Sequence, residues 1–193
     1  IMAAINAVKI SDGYAAITAA IAAKAKAPAD RSVEEQAMLD AVVPYNLDAW
    51  DGYGAEREAV FDAAAANASK LIVLAGDTHN AWGNQLRRAN GENNGEIVGV
   101  ELAAASVSSP GLEYYLGLGA ATSALEGSVN TLLDDLQYVN LVDRGFLDVE
   151  FTSDQVVANW RFVSTVKSAE YIAAIDRNKT ATVDYSTLTL NVA

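Results

Sequence analysis

The 193-residue sequence has no cysteine, one histidine, three prolines, and 13 basic residues against 25 acidic ones. Without cysteine there is no disulfide, no thiolate metal ligand and no cysteine nucleophile. The formal net charge of −12, with Arg87-Arg88 as the densest basic spot, disfavours a polyphosphate backbone as partner, so no nucleic-acid binding is expected. Long apolar runs are missing too. Leu71 to Ala75 falls far short of the roughly 20 residues of a bilayer span, and no membrane segment is expected. The start, Ile1-Met2-Ala3-Ala4-Ile5, lacks the charged and apolar layout of a signal peptide. That is the pattern of a processed chain or of one that begins inside a longer protein.

What is present suffices for a core. Half of the residues are apolar and a fifth are charged, which predicts one globular domain over 1–193. Residues 14–26 are alanine-rich and predict a helix ended by Pro28. Ser32-Val33-Glu34-Glu35 is a capping box, in which the serine accepts an orphan N–H and Glu35 reaches back, so a helix is predicted from Val33 to Val43, stopped by Pro44. A turn-like aromatic run, Tyr45 to Tyr53, leads to a helix from Ala55 to about Asn67.

Leu71 to Ala75 is a continuous apolar run, the pattern of a strand buried on both faces. A turn at Glu92 to Gly95 and a strand from Glu96 to Ser106 follow, then a helix over 121–136 with Leu125, Val129, Leu132, Leu133 and Leu136 at helical spacing. The period then changes to two: Leu147, Val149 and Phe151, then Val156, Ala158, Trp160 and Phe162, alternate with polar residues around Thr152-Ser153-Asp154. This predicts an antiparallel hairpin with one face on a core, with an edge strand over 182–192. Helices and a strand–turn unit together with that hairpin place the chain in the α/β (α+β) class.

Asp77 and His79 lie where the buried strand hands over to a loop, the end of an open sheet at which ligands gather. A carboxylate and an imidazole at i, i+2 can face one cation if Gly76 lets the backbone bend. The plainer alternative is a turn aspartate capping amides and a histidine packed on Trp82, and spacing alone favours it. Two residues also cannot fill the shell of a cation, which takes roughly four to eight ligands. Asn46, Asp48, Trp50, Asp51 and Tyr53 form a polar-aromatic cluster that reads either as Asx turns or as a pocket-lining loop. Gly117 to Thr122 has neither the preceding strand nor the acidic residue of a dinucleotide loop, and Ser106 to Gly111 is not a nucleophile elbow. Asn67-Ala68-Ser69 and Asn178-Lys179-Thr180 match glycosylation sequons, a pattern common by chance.

Four stretches in order, YNLDAWDGYGAERE, LIVLAGDTHNAWGNQL, GVELAAASVSSPG and LQYVNLVDRGFLDVEFTSDQVVANWRFV, resemble the C-terminal half of the PhoD-like alkaline phosphatases, a branch of the metallophosphatases. The resemblance runs from Tyr45 to Thr165. It implies a β-sandwich flanked by helices, with a C-terminal antiparallel hairpin and a centre of two or more metals, iron and calcium being those associated with the family. It also implies hydrolysis of small phosphomonoesters or phosphodiesters by an exported protein, periplasmic or extracellular. Bound metals would neutralise the ester and activate water, which reconciles an acidic protein with an anionic substrate.

By the same match Asp77 and His79 are metal residues, Asn80 and Trp82 shape the substrate pocket, and Asn46, Trp50, Asp51 and Tyr53 add to it. No residue is assigned as the catalytic acid, base or nucleophile. The family's N-terminal motifs, with an asparagine, a tyrosine and a cysteine ligand, have no counterpart here. The expectation is therefore an incomplete centre, inactive alone and completed by an upstream half, with residues 1–43 an insertion-like helical segment and 44–193 the PhoD-like core. The alternative from another class is a non-catalytic sandwich module that binds calcium or a protein partner.

Overall fold

The computed structural model describes residues 10–41, 48–67, 69–89, 94–115 and 122–193. They divide into two compact units, 1–57 and 58–193.

The first unit is helical. Helix α1 (Ile10–Lys24) buries Ile17, Ala20 and Ala23, three positions on one stripe. Its last carbonyls are taken by Arg31, whose Nε donates to Ala23 O (3.1 Å) and Nη2 to Lys24 O (3.2 Å). Helix α2 (Val33–Asp40) opens on the predicted capping box: Glu35 N donates to Ser32 Oγ and Ser32 N to Glu35 Oε2. It ends three residues before Val43, at a C-cap on Ala41. Pro44, the predicted stop, lies outside the described residues. After a 3-10 turn (Trp50–Gly52), helix α3 (Gly54–Ala66) begins, within a residue of its predicted bounds.

The second unit is a two-layer sandwich. One sheet has the order β1-β3-β2-β4, built from β1 (Leu71–Ala75), β2 (Ala81–Arg87), β3 (Ile97–Ala103) and β4 (Leu136–Asn140). β1 and β3 are parallel, and the other pairs are antiparallel. The other sheet is antiparallel throughout, in the order β5-β6-β7-β8: β5 (Arg144–Phe151), β6 (Gln155–Val163), β7 (Lys179–Asp184) and β8 (Leu190–Val192). Helix α4 (Leu112–Tyr115) follows β3, and α5 (Thr122–Leu132) packs beside β4.

Period-two patterning fills the space between the sheets. Val156, Ala158, Trp160 and Phe162 of β6 meet Val100 and Leu102 of β3, Tyr138 of β4 and Ala81 of β2 in one core. Trp160 stacks on Tyr138 with ring centroids 4.6 Å apart and crosses the layer to donate to Ala103 O (2.9 Å). Gly83 makes room for that indole, since a Cβ there would lie 3.2 Å from Trp160 Cη2. Burial also holds the Tyr138 phenol well above its ordinary pKa, through loss of solvation first.

Expectation and structure differ at five places. β1 is an edge strand among the described residues, so it is half-buried, with Leu74 55% exposed, rather than buried on both faces. Residues 81–87 form a strand that their Gly, Asn and Gln content hid. Leu136 opens β4, because α5 stops at Leu132 and Asp134-Asp135 make a turn. The single edge strand over 182–192 is two, β7 and β8, parted by a turn with Leu188 in the left-handed region (φ 53°). On β5, Leu147 and Val149 are half-buried as the alternation requires, but Phe151 at the hairpin end is exposed.

Candidate metal centre

The turn between β1 and β2 carries Gly76-Asp77-Thr78-His79-Asn80. Its bend does not come from Gly76. Asp77 (φ 67°) and His79 (φ 62°) themselves occupy the left-handed region, and Gly76 does not. Each such non-glycine residue costs about 1–2 kcal/mol, so surrounding contacts must hold the turn. Two adjacent side chains grip the same distant loop. His79 Nδ1 lies 2.7 Å from Pro110 O, and Asn80 Oδ1 accepts from Leu112 N at 3.2 Å. Asn80 Nδ2 donates to Leu141 O at 2.9 Å, while Thr78 Oγ1 donates to Asn80 O and accepts from Trp82 Nε1 (3.0 Å).

A carbonyl can only accept, so Nδ1 of His79 carries the proton and a neutral ring keeps its lone pair on Nε2. Metal-ligating histidines are held in this way, with the second ring nitrogen donating to a carbonyl or carboxylate. Asp77 is exposed, and its carboxylate accepts no hydrogen bond from the described residues. Thr78 N donates to Gly76 O rather than to Asp77, and the histidine ring is tied to the Pro110 carbonyl. A carboxylate oxygen and an imidazole nitrogen suit a hard or borderline cation. They do not complete its shell, and among the described residues no three His, Asp or Glu side chains gather.

With that geometry in view, residues 12–160 match the PhoD-like phosphatase family. The chain belongs to that family. Over 68 residues it is 35% identical to alkaline phosphatase D of Bacillus subtilis (strain 168), an alignment spanning 35% of this chain and 12% of that relative. A solved structure of PhoD is similar in fold, with a TM-score of 0.58 and 21% identity over 77% of this chain and 27% of that one. The chain thus spans a minor part of the PhoD-like relatives it matches. The family match starts at residue 12 and takes in α1 and α2.

The remaining expected residues fall in both units. Asn80 has no exposed surface, and its carboxamide bonds Leu112 N and Leu141 O. Trp82 is half-buried and braces Thr78. Trp50 and Tyr53 belong to the first unit and are about half exposed, with Tyr53 Oη donating to Asp48 (3.1 Å). Asp51 is the middle residue of the 3-10 turn, and Asn46 lies outside the described residues.

Several contributors had no sequence signal. Pro110, Gly111, Leu112 and Leu141 act largely through backbone atoms, 31 to 61 residues from their partners. Two ionic groups steady those backbones. Glu113 pairs with Arg144, which also donates to Val142 O and Asp143 O. Arg177 donates to Asp143 (2.6 Å) and Glu126 (3.1 Å), and Glu126 accepts from Leu141 N. A cleft of about 400 Å³ beside Asn130, Tyr138 and Lys179 is lined by neither Asp77 nor His79.

Proposed function

We propose that this chain is the C-terminal portion of a metal-dependent phosphoester hydrolase, an alkaline phosphatase or phosphodiesterase of the PhoD-like type, acting on small phosphoesters. Asp77 and His79 would hold metal, with calcium and iron as the candidates that the family resemblance suggests. The observation that supports this reading most is the turn itself: two strained residues of the right donor types, with the imidazole held at Nδ1 so that Nε2 keeps its lone pair.

A bound cation would supply charge neutralisation for the ester and an acidified water. The chain's own residues supply placement. Asp77 and Nε2 of His79 are the free donors, and the Pro110 carbonyl holds the ring against rotation. Asn80 keeps the turn on the loop bearing Pro110 and Leu112. Two donors do not fill a cation's shell, and in this proposal an upstream half supplies the others and the 193-residue chain is inactive alone. Export to the periplasm or the extracellular space is part of the same proposal.

The test is hydrolysis of a chromogenic phosphodiester by the product of the complete reading frame, beside the 193-residue chain. Turnover by the complete product that a chelator abolishes and added metal restores is the expected result, with none from the chain alone. Chelator-resistant turnover would remove metal from the proposal, and absence of turnover on both monoesters and diesters would remove the hydrolase.

A further inference from the structure

We propose that Asn80 is a positioning residue whose buried carboxamide sets the tautomer and orientation of the neighbouring His79. The functional meaning of this rests on the metal-holding role of His79; its test does not.

Three observations converge. Asn80 is 0% exposed, and both ends of its amide are spent on backbone groups of two separate loops, Leu112 N and Leu141 O. Such a group is costly to bury unless fully paired, so the turn cannot drift from those loops without leaving the amide unsatisfied. Next, His79 and Asn80 seize Pro110 O and Leu112 N, two groups one residue apart on a single loop. Fixing one fixes the other. Lastly, the residue between them is Gly111, where a Cβ would lie 2.7 Å from Asn80 Nδ2 and 3.1 Å from its Cγ. Only a hydrogen fits, so the loop can approach the carboxamide closely enough to receive both bonds.

The loop is itself tied down. Ser106 N donates to His79 O (3.4 Å), Gly145 N to Ser106 O (3.1 Å), and Glu113 holds Gly111 N while paired to Arg144. The loop is thus an anchor for the turn. Without Asn80 the His79 ring would keep its Pro110 bond, but the side-chain tie that holds Leu112 beside it would be gone.

The single histidine makes the test direct, because the 193-residue chain gives one set of imidazole proton–nitrogen correlations. In the wild-type chain, at a pH where the ring is neutral, they should report the Nδ1-protonated tautomer alone. Asn80→Ala should replace that pattern with an exchange-averaged mixture. Gly111→Ala, which retains Asn80 but pushes the loop off it, should do the same and stands in if Asn80→Ala does not fold. Gln85→Ala removes an equally buried carboxamide from the sandwich. It should lower the melting temperature and leave the His79 pattern as in wild type. A wild-type pattern in folded Asn80→Ala or Gly111→Ala overturns the proposal, and so does an equal change in Gln85→Ala. Neither result bears on phosphodiester turnover, so the two proposals fail separately.

Discussion

Asn80 and Gln85 are two buried carboxamides five residues apart, and the regions they serve are built to opposite ends. Gln85 Nε2 donates to Gly99 O and Leu188 O, and its Oε1 accepts from Leu190 N, so it closes one sheet against the β7–β8 turn of the other. Its carboxamide makes three hydrogen bonds to backbone groups. Asn80 spends both ends of its carboxamide as well, yet the turn it anchors keeps Asp77 exposed and leaves Nε2 of His79 without a hydrogen bond from the described residues, while holding two residues in strained backbone. The same device yields a closed seam in one place and presented donors in the other. Unspent donors on strained backbone are what the proposed metal-holding role of the turn requires.

The comparison can be broken at several points. Trp160→Ala in the seam should cost about 3–5 kcal/mol, read by chemical denaturation, because it opens a cavity and orphans Ala103 O. On the turn, Asp77→Ala and His79→Ala in the complete product should each lower kcat/KM by about 100-fold or more, about 2.7 kcal/mol, with the melting temperature nearly unchanged. Gln85→Ala should cost about 1–3 kcal/mol, since three backbone groups lose their partner. Asp77→Gly sharpens the contrast further. Relieving the left-handed strain should leave stability equal or raise it by up to about 1 kcal/mol, while turnover is lost. A clear loss of stability in Asp77→Gly would mean that the aspartate has structural partners and the contrast is wrong. In the first unit, Ser32→Ala removes a helix cap and should cost about 1 kcal/mol without touching turnover.

Legibility followed how local each cause was. The capping box, the alternation of β6 and the short run of β1 are written in adjacent residues and could be read from them. Strand β2 could not, because its Gly83 and Gln85 suit a partner rather than a propensity: one admits Trp160, the other bridges to β8. The burial of β1 was overestimated because composition does not say how many neighbours a strand has. For the site, Asp77 and His79 were legible as a donor pair at a strand end, though the source of the bend was placed on Gly76 instead of on the pair itself. Their supports were not legible. Pro110 and Leu141 contribute carbonyls and Leu112 an N–H, groups that every sequence position but proline's N offers alike. The Ser106 to Gly111 run meets the turn through the amide of Ser106, the carbonyl of Pro110 and the bare Cα of Gly111, none of which a sequence motif marks.

The most direct test of the proposed metal-holding role of the turn is the metal content of the complete product, purified as wild type and as His79→Ala under the same conditions. A bound cation that falls to background in His79→Ala, with both proteins folded, is the result this account predicts. Equal metal in the two proteins would contradict it.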